Sequence, residues 1–326
     1  MSAASASTLI DAPLAALESR LRELVRSKVE FITLIGDDLL DAGGKRSRPA
    51  VTLLAAQACR PVAGQPNHLH ATIDFAAAIE LLHSATLLHD DLIDDAETRR
   101  GHEAAFRHYG NAVSVLSGDF LLSRVLSILA GLPPTFTALV AETSAAICEG
   151  EVLQFQVAAL QTYSRETYEA VIDGKTAALV AAAARAGAML AAAPQAIEVA
   201  LHEFGLHYGR AFQMQDDLLD LTATTDVLGK PAGGDLREGK ATLPILLLLE
   251  SPARGEVEAI LWGRGAKPGD LARLQDLLSE HDAVHATKRL ITAEATLAAK
   301  ALQVLPRTPE RDALEALAAA NIDRER

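Results

Sequence analysis

The sequence predicts an all-α protein, a large helical bundle, on three observations. Apolar residues recur at three- and four-residue steps from end to end. No stretch alternates with the β-branched and aromatic enrichment of strands. Long alanine- and leucine-rich runs carry almost no glycine or proline. Leu14, Leu17, Leu21, Leu24 and Val25 set the first stripe, with Glu18, Arg22, Glu23 and Arg26 between them. Residues 68–95 and 198–221 read as long helices of the kind a large bundle packs closely. Leu271, Leu274, Leu277 and Leu278 repeat the stripe later, as do Leu314 and Leu317 among alanines. Turn residues cluster at 41–47, 60–67, 131–134, 222–239, 263–269 and 306–309 and mark the breaks. None of these is a long, low-complexity or strongly charged linker, so one all-α domain is expected over residues 9–326, behind a flexible tail of residues 1–8.

A chain of 326 residues can bury a large core. Its 43 acidic against 30 basic side chains give a net charge of −13, which argues against nucleic-acid binding, since that needs a basic face. Two cysteines, Cys59 and Cys148, make no disulfide framework and fit a reducing cytoplasm. Residues 1–8 lack the basic and apolar regions of a signal peptide. The most membrane-like stretch, 176–194, is alanine-rich with Arg185 in its middle, and reads as a buried helix; no integral membrane segment is expected.

One pattern occurs twice. His89-Asp90-Asp91-Leu92-Ile93-Asp94-Asp95 and Gln215-Asp216-Asp217-Leu218-Leu219-Asp220 both place acids at i, i+1 and i+4. On a helix these positions span an arc of about 100°. The ordinary reading of acids on a helix is a solvated face. It fits badly here: like charges at i, i+4 repel, and both sets end apolar helices, where negative charge opposes the macrodipole. Repeating that cost at one spacing calls for cations. Oxygen ligands without His or Cys select a hard ion, Mg²⁺ or Mn²⁺. Magnesium takes one or two carboxylates and fills its shell with water and phosphate oxygens, so two such sets read as clamps for a magnesium–diphosphate.

Bases collect beside glycine at a few points of this acidic chain. Gly43 to Pro49 (GGKRSRP) precedes a helix, and Arg99-Arg100-Gly101 follows the first cluster. Lys175-Thr176 follows Gly174, while Gly229-Lys230 and Gly239-Lys240 flank a glycine-rich loop after the second cluster. Each alone reads as a surface turn; beside metal clamps they form a set for phosphate oxygens. His83 lies seven residues before Asp90, on the same helical face, and reads equally as a core histidine or a site residue.

In order and spacing these residues resemble the trans-isoprenyl diphosphate synthase family, long-chain type. The quoted motifs are GGKRSRP at 43–49, HDDLIDDAETRRG at 89–101, KTAAL at 175–179, FQMQDDLLD at 212–220, and GDLREGKATLP at 234–244. The resemblance implies a helical bundle around a central active-site cavity, working as a homodimer in the cytoplasm. It implies that Asp90, Asp91, Asp94, Asp216, Asp217 and Asp220 hold Mg²⁺, three ions per site, with Mn²⁺ as a substitute. Arg99, Lys175, Lys230 and Lys240 would bind an allylic prenyl diphosphate. Lys45, Arg48, His83 and Arg100 would bind isopentenyl diphosphate, and Thr176 and Gln213 would face the reacting carbons. The implied reaction is metal-assisted ionisation of the allylic diphosphate, attack by isopentenyl diphosphate, and proton loss to the released diphosphate. A transient membrane contact would serve product release.

In members that stop early, bulky aromatics precede the first aspartate cluster. Here Ala85 and Thr86 stand five and four residues before Asp90. Thr86 lies one turn below Asp90 on the carboxylate face; the relevance of Ala85 rests on the resemblance. Small residues favour a heptaprenyl-to-decaprenyl product, as in quinone side chains, over a farnesyl or geranylgeranyl one. Two rivals predict different chemistry. A terpene cyclase would need no isopentenyl site, and a non-catalytic subunit of a heteromeric synthase would lack the intact aspartate clusters.

Overall fold

The computed structural model of the chain describes residues 9–63, 69–99, 102–223 and 232–322. Its helices of seven or more residues are α1 (Asp11–Leu24), α2 (Glu30–Asp41), α3 (Ser47–Ala58), α4 (Leu69–Ile93), α5 (Asn111–Leu129), α6 (Pro134–Leu160), α7 (Arg165–Ile172), α8 (Ala178–Leu190), α9 (Gln195–Thr222), α10 (Leu243–Leu249), α11 (Arg254–Trp262), α12 (Asp270–Glu280), α13 (Ala283–Ala301) and α14 (Pro309–Ala320). The expected tail, residues 1–8, lies outside the described residues. The all-α expectation holds, with one addition. Thr98–Arg99 (β1) pairs antiparallel with His102–Glu103 (β2), a ladder too short to leave a period in the sequence.

The two long helices end where local chemistry stops them. α4 closes at Ile93 rather than residue 95 because Asp95 takes the left-handed conformation at φ 52°. The Ala96 N–H then returns to the Asp91 carbonyl at 2.9 Å, closing the helix with a six-to-one bond. α9 begins just after Pro194, whose carbonyl accepts the N–H groups of Ile197 and Glu198. The alanine-rich stretch divides into a π-helical turn, Asp173–Ala177, and α8. It is buried as expected, with Ala181, Ala183 and Ala184 fully covered and Arg185 paired to Glu198 at 3.8 Å.

By internal packing the chain forms two compact units. In the first (residues 9–142, 182–202 and 303–316), α4 is the spine, and α1, α3 and α5 pack against it. Phe75 of α4 is fully buried and meets Phe136 with ring centroids 5.3 Å apart. By length and composition α4 and α5 could each cross a membrane. In α4, 72% of the most apolar window is buried inside the fold, as in a core helix.

In the second unit (residues 143–181, 203–302 and 317–322), Tyr168 and Ile172 join Ala211, Met214 and Leu218 of α9, Leu243 and Leu246 of α10, and Ile291 of α13 in one apolar cluster. A neighbouring cluster gathers Leu221, Leu236, Ile245, Leu248, Val257, Leu274 and Leu278. Together they hold the C-terminal end of α9. α6 crosses the π-helical turn at a glycine pair. A Cβ on Gly150 would lie 2.6 Å from the Lys175 nitrogen, and one on Gly174 would lie 2.5 Å from the Ala146 carbonyl oxygen. Backbone meets backbone there, so neither neighbour can turn aside. Gly150→Ala is expected to destabilise the protein by about 1–3 kcal/mol through overpacking, read as a lower urea midpoint; an unchanged midpoint contradicts the close approach.

Candidate active site

The first aspartate cluster lies at the C-terminal end of α4 in the first unit, with Asp90 and Asp91 in the last turn and Asp94 just past Ile93. Asp90 and Asp94 are half-buried, whereas Asp91 is only 3% exposed. The β1 residue Arg99 covers Asp91: its Nε donates to Asp91 Oδ1 at 2.8 Å, and its Nη2 closes on the same oxygen. Thus a guanidinium expected at a diphosphate here steadies a carboxylate at the negative end of a helix. Exposed Asp95 pairs with Arg107 at 2.5 Å. His89, though inside the motif, packs over Gly118, with Nε2 3.2 Å from the Val115 carbonyl oxygen and 3.5 Å from Asp119. It ties α4 to α5.

Further down α4, His83 is half-buried and Ala85 fully buried. The Thr86 hydroxyl donates to the His83 carbonyl at 2.8 Å, which satisfies it within its own helix. In GGKRSRP the bases separate. Arg46 is buried at φ 46°; its Nε donates to Glu18 at 2.6 Å, its Nη1 to Glu80 at 3.0 Å, and its Nη2 to the Leu40 carbonyl. Lys45 is exposed and Arg48 half-buried in the first turn of α3. Arg100, like Lys230, lies outside the described residues.

The second cluster ends α9 in the second unit, where Asp216 is half-buried and Asp217 and Asp220 are buried. Both Asp217 oxygens are held: the Tyr168 hydroxyl donates to Oδ2 at 2.7 Å, and Gln213 Nε2 donates to Oδ1 at 2.8 Å. Burial pushes the Asp217 carboxyl up to about 6, while those two hydrogen bonds pull it down. Burial also raises the Tyr168 phenol well above its usual value, so it keeps its proton as a donor. Asp220 anchors the end of the glycine-rich loop: its Oδ2 accepts the Asp235 N–H at 3.0 Å and its carbonyl the Gly233 N–H at 2.7 Å.

A cavity within this unit is lined by Lys175, Thr176, Gln213, Asp217, Asp235 and Lys240, together with Tyr163 and Tyr168. The π-helical turn supplies Lys175 and Thr176. Lys175 Nζ lies 2.7 Å from Glu151 and donates to Gln154 Oε1 at 3.1 Å. The Thr176 hydroxyl donates to Gln213 Oε1 at 2.7 Å. Lys240 is paired with Glu238, and the Tyr163 hydroxyl bonds the Gly239 carbonyl at 3.1 Å. Five residues expected at the site therefore line one cavity. Asp90, Asp91, Asp94, Arg99, Lys45, Arg48, His83, Ala85 and Thr86 belong to the other unit. Sequence reading assigned no role to Tyr168, Glu151, Gln154 or Asp235. Of these only Asp235 stood in a quoted motif, GDLREGKATLP.

Among the described residues, no three His, Cys, Asp or Glu side chains form a ready metal cage. The oxygen-only aspartate sets fit a hard ion that arrives with its own phosphate ligands, because magnesium needs only one or two carboxylates from the protein.

A family model described as polyprenyl synthetase matches residues 29–278. The chain belongs to the polyprenyl synthetase family. It is a prenyltransferase in the all-α fold of its solved relatives. Octaprenyl diphosphate synthase of Escherichia coli K12 is 37% identical over 316 residues, 96% of each chain. All-trans-nonaprenyl-diphosphate synthase (geranyl-diphosphate specific) of Rhodobacter capsulatus is also 37% identical, over 95% of this chain and 94% of its own. A crystal structure of polyprenyl synthase from Caulobacter crescentus CB15, complexed with calcium and isoprenyl diphosphate, superposes with a TM-score of 0.93. It is 38% identical and covers 100% of this chain and 98% of its own.

The basic loop of this chain contains one buried arginine, Arg46, beside an exposed lysine, Lys45. Arg46→Ala leaves Glu80 buried without its ion pair and is expected to destabilise by about 3–5 kcal/mol. Lys45→Ala should change stability by less than about 0.5 kcal/mol. Urea denaturation separates the two; equal midpoints contradict the structural role of Arg46.

Proposed function

We propose that this prenyltransferase condenses an allylic diphosphate with isopentenyl diphosphate, head to tail and repeatedly. The product is a long-chain all-trans polyprenyl diphosphate, a quinone side-chain precursor. The observation that carries the reading is the cavity in which two lysines, Thr176, Gln213 and Asp217 meet. Cations there suit a diphosphate, and oxygen dipoles beside them suit a carbocation.

In this reading Lys175, Lys240, Arg99 and Lys230 bind the allylic diphosphate, and Lys45, Arg48, His83 and Arg100 bind isopentenyl diphosphate. Asp90, Asp91, Asp94, Asp216 and Asp220 are the metal set, for three Mg²⁺ ions with Mn²⁺ as a substitute, whereas Asp217, whose two oxygens Gln213 and Tyr168 hold, is left to orient Gln213. Magnesium, when bound, neutralises charge on the departing diphosphate. Lys175 exchanges Glu151 and Gln154 for phosphate oxygens when substrate enters. Thr176 and Gln213 turn oxygen atoms toward the allylic carbon as its bond to oxygen breaks. The isopentenyl double bond then attacks that carbon, and the released diphosphate takes the proton. The two units act as one catalytic domain.

Three observations support a long product. Ala85 is small and buried, Thr86 spends its hydroxyl on its own helix, and two relatives at 37% identity are named for octaprenyl and nonaprenyl products. The exposed apolar side chains Leu116 and Leu126 on α5 support a homodimer. In this reading the enzyme works in the cytoplasm and touches a membrane only to release product.

The purified chain alone, given Mg²⁺, isopentenyl diphosphate and an allylic primer, should yield heptaprenyl or longer alcohols after dephosphorylation. Chelation should abolish turnover, and Mg²⁺ or Mn²⁺ should restore it. Absence of product would instead indicate a partner-dependent subunit. Ala85→Phe or Thr86→Phe should shorten the product on chromatography; unchanged lengths from both variants contradict the tunnel reading.

A further inference from the structure

Thr176, Gln213, Asp217 and Tyr168 form a continuous hydrogen-bonded row on the wall of the cavity. The chemistry of each partner fixes the direction of the row. A carboxylate only accepts, so Gln213 must turn its NH₂ toward Asp217, which leaves its carbonyl oxygen toward Thr176. A carbonyl oxygen also only accepts, so the Thr176 hydroxyl must spend its single proton on Gln213. The Thr176 oxygen can then offer the cavity nothing but lone pairs. The Gln213 and Thr176 dipoles both point their negative ends away from the Asp217 carboxylate and toward the Thr176 oxygen, and hydrogen-bonded chains of this kind polarise one another.

The row needs the Asp217 carboxylate held in one orientation, and that side chain is 4% exposed. Tyr168 supplies what burial removes. Its hydroxyl donates to the oxygen that Gln213 does not use, and its ring is locked in the apolar cluster with Met214, Leu218 and Leu246. With both oxygens held inside the protein, the carboxylate plane cannot rotate and the Gln213 amide cannot flip without breaking a bond.

We infer that Tyr168 is a positioning residue for prenyl transfer. Through Asp217 and Gln213 it sets the polarity of the Thr176 hydroxyl, so that an oxygen lone pair rather than a proton faces the allylic carbon as positive charge develops. This inference rests on the prenyl-transfer reading of the cavity. It gives Asp217 a function distinct from metal ligation, because its partners are Gln213 and Tyr168.

A double-mutant cycle tests it, read as the single-turnover rate of the first condensation. Tyr168→Phe keeps the ring and removes the donor, and Thr176→Val keeps the shape and removes the hydroxyl. Each alone should slow the step about 10-fold or more, with KM for both diphosphates within about twofold of wild type. Because both act through one oxygen, the double variant should be no slower than Thr176→Val within about twofold. Losses that multiply overturn the inference, as does a Tyr168→Phe rate equal to wild type. Manganese affinity, titrated by electron paramagnetic resonance without substrate, should remain within about twofold of wild type in Tyr168→Phe. A 10-fold weakening would put Asp217 at the metal and overturn the inference. Should Tyr168→Phe fold poorly, Asp217→Asn takes its place in the cycle. A wild-type chain inactive by itself would instead sink the reading of this chain as a self-sufficient synthase, in favour of a partner-dependent subunit.

Discussion

Carboxylates at the C-terminal end of a helix face the negative end of its dipole, and burial removes the water that would solvate them. This protein places such a set at the end of α4 and another at the end of α9, and much nearby structure answers that constraint. A β-ribbon brings Arg99 onto Asp91. Tyr168 and Gln213 close on Asp217 from two sides. The glycine-rich loop returns a backbone N–H to Asp220. In each unit, the more deeply buried aspartates are those with these protein partners. The half-buried ones, Asp90, Asp94 and Asp216, are the more accessible to solvent.

The fold class was legible because helical periodicity and turn clusters are local signals. The long helices run within a few residues of expectation, and the deviations trace to local chemistry: left-handed Asp95 stops one, and Pro194 starts another. The aspartate spacing was legible for the same reason. What the sequence hid is long-range. Tyr168 reaches Asp217 across 49 residues of chain, and Glu151 reaches Lys175 across 24. No spacing rule links such pairs, because tertiary packing sets their distance. Arg46 shows the converse. Composition makes it one of three bases in an anion-binding loop, yet Glu18 and Glu80 draw it into the core. Equally invisible were the π-helical turn and its close approach to α6, where Gly150 and Gly174 let two backbones touch.

The cavity chemistry follows from these constraints. Lys175 and Thr176 sit on the π-helical turn, a distortion often found at functional sites. The lysine is held on Glu151 and Gln154, a pairing that a diphosphate, with more charge, can displace. In the proposed reaction no nucleophile needs activation, because the bond that breaks joins carbon to a diphosphate leaving group. In the proposed reading the cavity supplies charge for the diphosphate and oriented oxygen for the cation.

The central claim is that the aspartates work by holding metal on a diphosphate. It is tested most directly by diffraction from crystals grown with Mn²⁺ and an allylic diphosphate analogue that cannot ionise. The account predicts anomalous manganese peaks joining diphosphate oxygens to Asp90, Asp94 and Asp216, with Lys175 moved from Glu151 onto the diphosphate. A diphosphate bound without manganese, or manganese bound away from both aspartate clusters, would contradict it.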